Sequence, residues 1–299
     1  AKADELARRA SVALDELFRV GDHLVNVTAS IGISLFPYDS DGPENLLRRS
    51  DIAMYHVKQG GKAHYGYFEP DMETASANRM QLEEALRRAL SGDEILLHYQ
   101  PRIDIRTGRI VCLEALVRWQ DGERGLVPPG DFIPLAESTN LIHPLGRRVL
   151  ELATRQLRAW RDDGFSDLRV AVNLSASQVA RPEVVEEVAA ALEAAGLPPT
   201  ALEVEVVERA AMTDVVGSAR KLSALRAMGV RVALDDFGVG YSSLSYLRSF
   251  PIDALKVDGA FVRGLGSPAA ASAPASRAEV HPDADGAIVR AIVTLGNSM

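Results

Sequence analysis

A single cysteine, Cys112, stands in the 299 residues, inside an apolar run. One thiol cannot build an intrachain disulfide framework, so a disulfide-stapled secreted scaffold is excluded and a reducing, cytoplasmic setting is expected. Long apolar runs are missing too. No stretch approaches the roughly 18 residues of a membrane span, and no secretory signal is visible. Nor is there a basic excess. With 33 Lys and Arg against 41 Asp and Glu, the formal net charge is −8, which argues against a general DNA or RNA binder. A small phosphate ester held by metal ions is compatible with that balance. An initial Met is absent, and "AKADELARRASVALDEL" reads as the middle of an amphipathic helix. At the other end "AIVRAIVTLGNSM" is an apolar helix with no element after it, so both ends are expected to be cuts in a longer chain.

What is present, 47% of it hydrophobic, suffices for one large domain and a smaller one. Residues 1–70 read as an α+β half-domain: a helix, the strand pair "HLVNVTASIGISLF", the helix "PENLLRRSDIAMYHVKQGG" and the aromatic strand "HYGYFEP". Residues 71–91 carry apolar positions at helical spacing and predict a connecting helix. Over residues 92–299 the pattern turns to strand then helix. Strands are expected at about 95–101, 110–117, 168–174, 201–207, 230–235 and 253–257. Helices are expected at about 143–163, 181–195, 214–228 and 284–296. Such alternation predicts an α/β fold of βα units around a mostly parallel sheet. Residues 265–286, rich in Ala, Ser and Pro, predict a mobile loop.

The polar residues of this second part fall at or near strand ends. Glu114 sits in the second strand, Asn173 ends the third, and Glu205 and Glu208 lie at the fourth. Asp235 and Asp236 close the fifth, and Lys256 and Asp258 lie at the sixth. In a β/α barrel these ends meet on one face, where such barrels carry their chemistry. Each residue has a plainer reading. An acid at a strand end is more often a helix cap or turn residue. Glu203 and Glu205 also fit an exposed edge alternation, Lys256 fits a snorkelling surface lysine, and Asn173 with Ser175 fits a helix start. Capping does not readily explain five consecutive strands that obey one rule. Adjacent carboxylates are costly unless a cation neutralises them, and convergent Glu, Asn and Asp oxygens are the ligands of hard divalent cations. Two such ions roughly 3.5–4 Å apart could activate water against a phosphodiester. Gly238 and Gly240, following the Asp pair, let the backbone pass close to a ligand.

These residues fall in motifs that resemble the EAL domain, the bacterial cyclic-di-GMP phosphodiesterase family. Glu114-Ala115-Leu116 is its literal signature. Around it stand "HYQP" (98–101), "PPGDFIPLAE" (128–137), "VNLSASQ" (172–178), "EVVE" (205–208), "DDFGVGYSSL" (235–244) and "LKVDGAFV" (255–262), in the family's order. Residues 1–70, with "VTASIGIS" and "SDIAMYHVKQGGK", resemble the C-terminal half of a GGDEF domain, the cyclic-di-GMP synthase module. The resemblance implies a TIM-like (β/α) barrel of the EAL type, incomplete with about six of eight strands, after a GGDEF-like half-domain. It implies two Mg²⁺ or Mn²⁺ ions, the first held by Glu114, Asn173, Glu205 and Asp235 and the second by Asp235 and Asp236. By the same resemblance Lys256 stabilises the attacking water or developing charge with Asp258 nearby, and Glu208 braces the Asp-Asp loop. Arg118 would take a substrate phosphate, Gln100 would face a guanine, and Leu116 belongs to the same substrate-binding segment. The implied activity is metal-dependent hydrolysis of cyclic-di-GMP to linear pGpG, with cyclic-di-GMP as ligand and a homodimer through the EAL domain as the family's common assembly. The alternative is a degenerate EAL module that acts as a cyclic-di-GMP receptor or protein-interaction domain. Val207 and Val239 stand where the family usually has Thr. The family's last two strands, with a further glutamate and a guanine-contacting glutamine, would follow Met299, and the chain alone is expected to be inactive. Lys58 is expected as a solvated helix lysine. Upstream residues could tether the parent protein to a membrane.

Overall fold

The computed structural model describes residues 2–14, 18–20, 23–25, 28–40, 42–59, 64–212, 214–238, 250–263 and 284–298. Val239, Gly240, the hydroxyl run at 241–243 and residues 265–283 of the expected loop lie outside them. The chain divides into two compact units, residues 1–84 and 85–299.

The first unit holds α1 (Lys2–Leu14), β1 (Phe18–Val20), β2 (His23–Val25), β3 (Ile31–Ile33), α2 (Pro43–Gln59), β4 (Tyr65–Tyr67) and the greater part of α3 (Pro70–Ala89). Residues 23–36 were expected to form one strand pair. Instead β2 pairs antiparallel with β1, whereas β3 pairs parallel with β4. The reason is α2, which returns the chain so that β4 can lie alongside β3. Gly32 makes this packing possible: a Cβ there would lie 1.9 Å from the Ser50 carbonyl oxygen and 2.2 Å from the Met54 nitrogen. Lys58, in the last turn of α2, is exposed.

The second unit is built on a seven-stranded sheet. Its strands are β5 (Ile95–Ile103), β6 (Ile110–Asp121), β7 (Gly125–Val127), β8 (Arg169–Leu174), β9 (Leu202–Val207), β10 (Arg231–Phe237) and β11 (Ala254–Val257). The order is β11-β10-β9-β8-β6-β5, with β7 paired to β6. From β6 through β11 these neighbours run parallel, and β5 is antiparallel to β6. Length explains the exception. The link from Ile103 to Ile110 is a turn, with Asp104 Oδ1 accepting from the Arg106 and Thr107 nitrogens, and a turn can only join antiparallel strands. The helices α5 (Ile142–Asp162), α7 (Val184–Ala194) and α9 (Val215–Met228) serve as crossovers between parallel strands.

Helix α4 and strand β7 are among the elements not anticipated. Helix α4 (Pro129–Ser138) begins with Pro129 and Gly130 and contains Pro134, which read as breakers. Proline is tolerated in the first turn, and burial of Phe132, Leu135 and Ala136 supplies the stabilisation. Trp119 packs edge-on against Phe132, with ring centroids 5.8 Å apart. Strand β7 is the return arm of a hairpin whose turn is set by Asp121 Oδ1, accepting from the Glu123 and Arg124 nitrogens.

Period-two alternation sorts the strand residues. Val170, Val172, Leu202, Val204, Val206, Val232 and Leu234 fill the buried layer on one face. On the other face the register sets Gln100 opposite Glu114, Arg102 opposite Cys112, Asn173 opposite Glu205, and Glu205 opposite Ala233. The polar residues thus share the second face of an alternating pattern, a face that is itself buried at Cys112, Glu203, Glu205 and Ala233. Among the described residues no helix is long and apolar enough to cross a membrane.

Candidate metal centre

Three strands each bring one carboxylate to a common point. Oxygens of Glu114 on β6, Glu205 on β9 and Asp235 on β10 all lie within 4.8 Å of one another. Lys256 on β11 enters between them. Its Nζ donates to Glu114 Oε2 at 3.0 Å, to Asp235 Oδ2 at 2.7 Å and to Glu205 Oε2. Lys256 is therefore a centre of the cluster and not the snorkelling surface lysine of the plainer reading. Asn173 Nδ2 donates to Glu114 Oε1 at 3.0 Å, which turns that side chain to the site. The helix start is handled by Ser175, whose hydroxyl and backbone pair reciprocally with Gln178 in a capping box at α6 (Ala176–Ala180).

The electrostatics show a site short of positive charge. Glu205 is completely buried, and that burial, reinforced by Glu114, pushes its carboxyl up to about 7 against the pull of Lys256 and Arg102. Burial alone would lower the Lys256 ammonium, but its bonds to Asp235, Glu205 and Glu114 win and hold it well above an ordinary lysine. Three carboxylates gathered around one ammonium are a donor set that a divalent cation would complement. Glu205 Oε1 lies 3.3 Å from Arg102 Nη1, close enough for an ion pair but without hydrogen-bond geometry. An all-oxygen donor set of three converging carboxylates fits a hard divalent cation.

Next to this point the chain makes a strained turn. Asp236 has φ 52°, and its backbone nitrogen donates to Asp235 Oδ1 at 2.9 Å. Its carboxyl is raised by burial first, then by Asp235 and Asp258. Gly238, at φ 106°, donates its N–H at 3.0 Å to Glu208 Oε2, the buried acid that opens the short helix α8 (Glu208–Ala211). Asp258 Oδ1 accepts from the Ala260 nitrogen at 2.6 Å and caps the following helix, Gly259–Arg263. Asp236 and Asp258 thus adjoin the three-carboxylate cluster without joining it.

A cavity of about 310 Å³ reaches the site at Asn173, the partner of Glu114, and is lined by Leu116, Arg118, Glu137 and Val207 among others. Arg118 donates to the Val117 carbonyl oxygen at 2.7 Å. Gln100 is exposed on β5, across from Glu114. A larger cavity, about 680 Å³, lies at the opposite ends of β6 and β8, around Ile110, Phe165 and Leu168, and takes no part in the carboxylate site. Arg102 escaped the sequence reading, and so did the buried position of Glu203. Glu203 is 2% exposed, not part of an exposed edge, and is gripped by Arg102 and Arg231. The available signal was its two-residue spacing from Glu205.

The family model for the EAL domain matches residues 83–282. The chain belongs to the EAL domain family. A model for the diguanylate cyclase GGDEF domain matches residues 1–64, ahead of the EAL domain. Among curated proteins, the bifunctional diguanylate cyclase/cyclic di-GMP phosphodiesterase MucR of Pseudomonas aeruginosa is 40% identical over 299 residues, 100% of this chain and 42% of that protein. The cyclic di-GMP phosphodiesterase PdeR of Escherichia coli is 40% identical over 262 residues, 88% of this chain and 39% of its own. The chain thus spans about two fifths of the length of these relatives. Among solved structures, the PaMucR phosphodiesterase in complex with c-di-GMP superposes with TM-score 0.65 at 44% identity, over 73% of this chain and 83% of that one. That likeness confirms the TIM-like α/β architecture of the EAL domain.

Proposed function

We propose that the EAL domain of this chain is a metal-dependent phosphodiesterase that opens cyclic di-GMP to the linear dinucleotide pGpG. The observation that carries this is the convergence of Glu114, Glu205 and Asp235, from three strands, on one point, with Asn173 linking Glu114 to the cavity lined by Arg118. Two relatives bear the name of cyclic di-GMP phosphodiesterases, and the domain of one has been solved with that ligand. Glu114, Asn173, Glu205 and Asp235 would hold one Mg²⁺ or Mn²⁺, with Asp235 and Asp236 serving a second. When bound, the ions supply an activated water and neutralise charge on the phosphate. The rest is done by side chains. Lys256 offers a fixed positive charge to the negative charge that grows as water oxygen adds to phosphorus. The ester P–O bond then breaks, and the departing 3′ oxygen takes up a proton. Arg118 presents a planar fork matched to phosphate oxygens. Leu116 gives the cavity an apolar wall, and Gln100 can both donate to and accept from a guanine edge. Glu208, through the Gly238 N–H, steadies the turn that bears both aspartates, and Asp258 supports it from the next helix.

The test is made in the full-length protein that carries this chain, with product followed by chromatography under saturating Mn²⁺. Asp235→Asn and Glu114→Gln are each expected to lower turnover by about 10²- to 10³-fold, as loss of a direct charge-stabilising group does. Near-normal turnover in either variant would remove that residue from the metal centre.

A further inference from the structure

Beneath the carboxylate centre, on the same face of the sheet, lies a second polar layer that the proposed reaction does not use. Arg102, at the end of β5, donates from Nη2 to Glu203 Oε1 at 2.6 Å and to Cys112 Sγ at 2.7 Å. Its other terminal nitrogen, Nη1, stands 3.3 Å from Glu205 Oε1. Glu203 is held in turn on Oε2 by Arg231 Nε at 3.2 Å. Glu203 and Glu205 are two residues apart on β9, so they share a face with their Cα atoms about 6.6 Å apart. The two ends of a guanidinium fork reach both carboxylates, where a single ammonium offers one point.

We propose that Arg102 is a positioning residue for the metal centre. Anchored by Glu203, it backs the Oε1 oxygen of Glu205, so that Oε2 is turned into the point shared with Glu114 and Asp235. A carboxylate ligand free to rotate loses that freedom on binding a cation, and a group behind it removes part of the cost in advance. The proposal rests on reading the centre as a divalent-cation site and goes beyond that reading by naming what stands behind its buried ligand. Direct repulsion has the opposite sign: a fixed positive charge so close to a ligand repels a cation, and Arg102→Lys, which keeps that charge, separates charge from fork.

The experiment titrates Mn²⁺ into the full-length protein and into Arg102→Gln and Arg102→Lys, read by electron paramagnetic resonance, with a thermal melt of each. Lysine keeps the charge and lacks the fork. Both variants are expected to bind Mn²⁺ about 10- to 100-fold more weakly, with turnover recovering as Mn²⁺ is raised to saturation. Unchanged affinity in both, or tighter binding by Arg102→Gln with Arg102→Lys unchanged, overturns the positioning role. Loss of the cooperative melt in both variants overturns it as well, since Arg102 would then be a folding element. If the unmodified protein binds no Mn²⁺, the metal reading itself fails, and that failure shows before any variant is made.

Discussion

At the scale of single residues, Lys256 and Glu205 depend on each other, and the dependence has measurable consequences. Lys256→Met would leave Glu205 completely buried without its ammonium partner. Breaking a buried pair by removing one member costs of the order of 3 kcal/mol, so the metal-free protein should unfold at clearly lower urea concentration. With saturating Mn²⁺, turnover should fall about 10²- to 10³-fold, because the fixed charge facing the reacting phosphate is gone. Turnover close to the unmodified value would show that Lys256 only compensates charge. The pH dependence follows from Glu205. Its carboxyl, ordinarily at 4.5, is pushed up to about 7 by burial. Between those values the folded protein keeps a proton that the unfolded chain has released, so stability falls as pH rises through this window. Glu205→Gln removes the effect. In EDTA the variant should exceed the unmodified protein in stability at pH 8 and lose that advantage by pH 5, as read from urea midpoints. A difference that does not change with pH would contradict the assignment.

Among the elements, the turn after β10 is constrained twice over, by backbone conformation and by packing. Gly238 adopts φ 106°, and a Cβ there would come within 2.9 Å of the Phe261 ring. Gly238→Ala should therefore cost about 1–2 kcal/mol from backbone conformation alone, with the contact added, and should weaken Mn²⁺ binding by displacing Asp235 and Asp236. Denaturant midpoints and Mn²⁺ titration check both, and a variant as stable as the parent would show that the turn relaxes freely. The same scale shows how far local pattern carries. Strands β8, β9 and β10 were legible because apolar alternation and an abrupt polar end coincide in each. Helix α4 was not, because Pro128, Pro129 and Gly130 look like loop chemistry until Phe132 and Leu135 are seen buried. The pairing of β3 with β4 was hidden as well, since register between segments more than thirty residues apart is decided by how α2 packs.

For the whole molecule, the chain carries a formal net charge of −8 and gathers three of its carboxylates at one point, so cation binding and folding stability should be linked. Mn²⁺ at 100 times its dissociation constant should add about 2.7 kcal/mol to unfolding. EDTA should remove this, and Asp235→Asn should show almost none of it. A melt indifferent to Mn²⁺ in the unmodified protein would argue against a preformed site. An ordered set of motifs was enough to assign the family, and βα alternation enough to predict a sheet of sequential neighbours. The sequence by itself also pointed to the residues of the carboxylate cluster, because residues at successive strand ends must share a face in such a sheet. Only the tertiary structure decided which of those residues meet. Glu114, Glu205 and Asp235 converge with Lys256, whereas Asp236 and Asp258 stand beside them. It also decided that Glu203 is buried between Arg102 and Arg231. The physical reason is that alternation tells which face a side chain takes, whereas its neighbour across the sheet depends on register and on the antiparallel course of β5, and both are set by packing between distant segments.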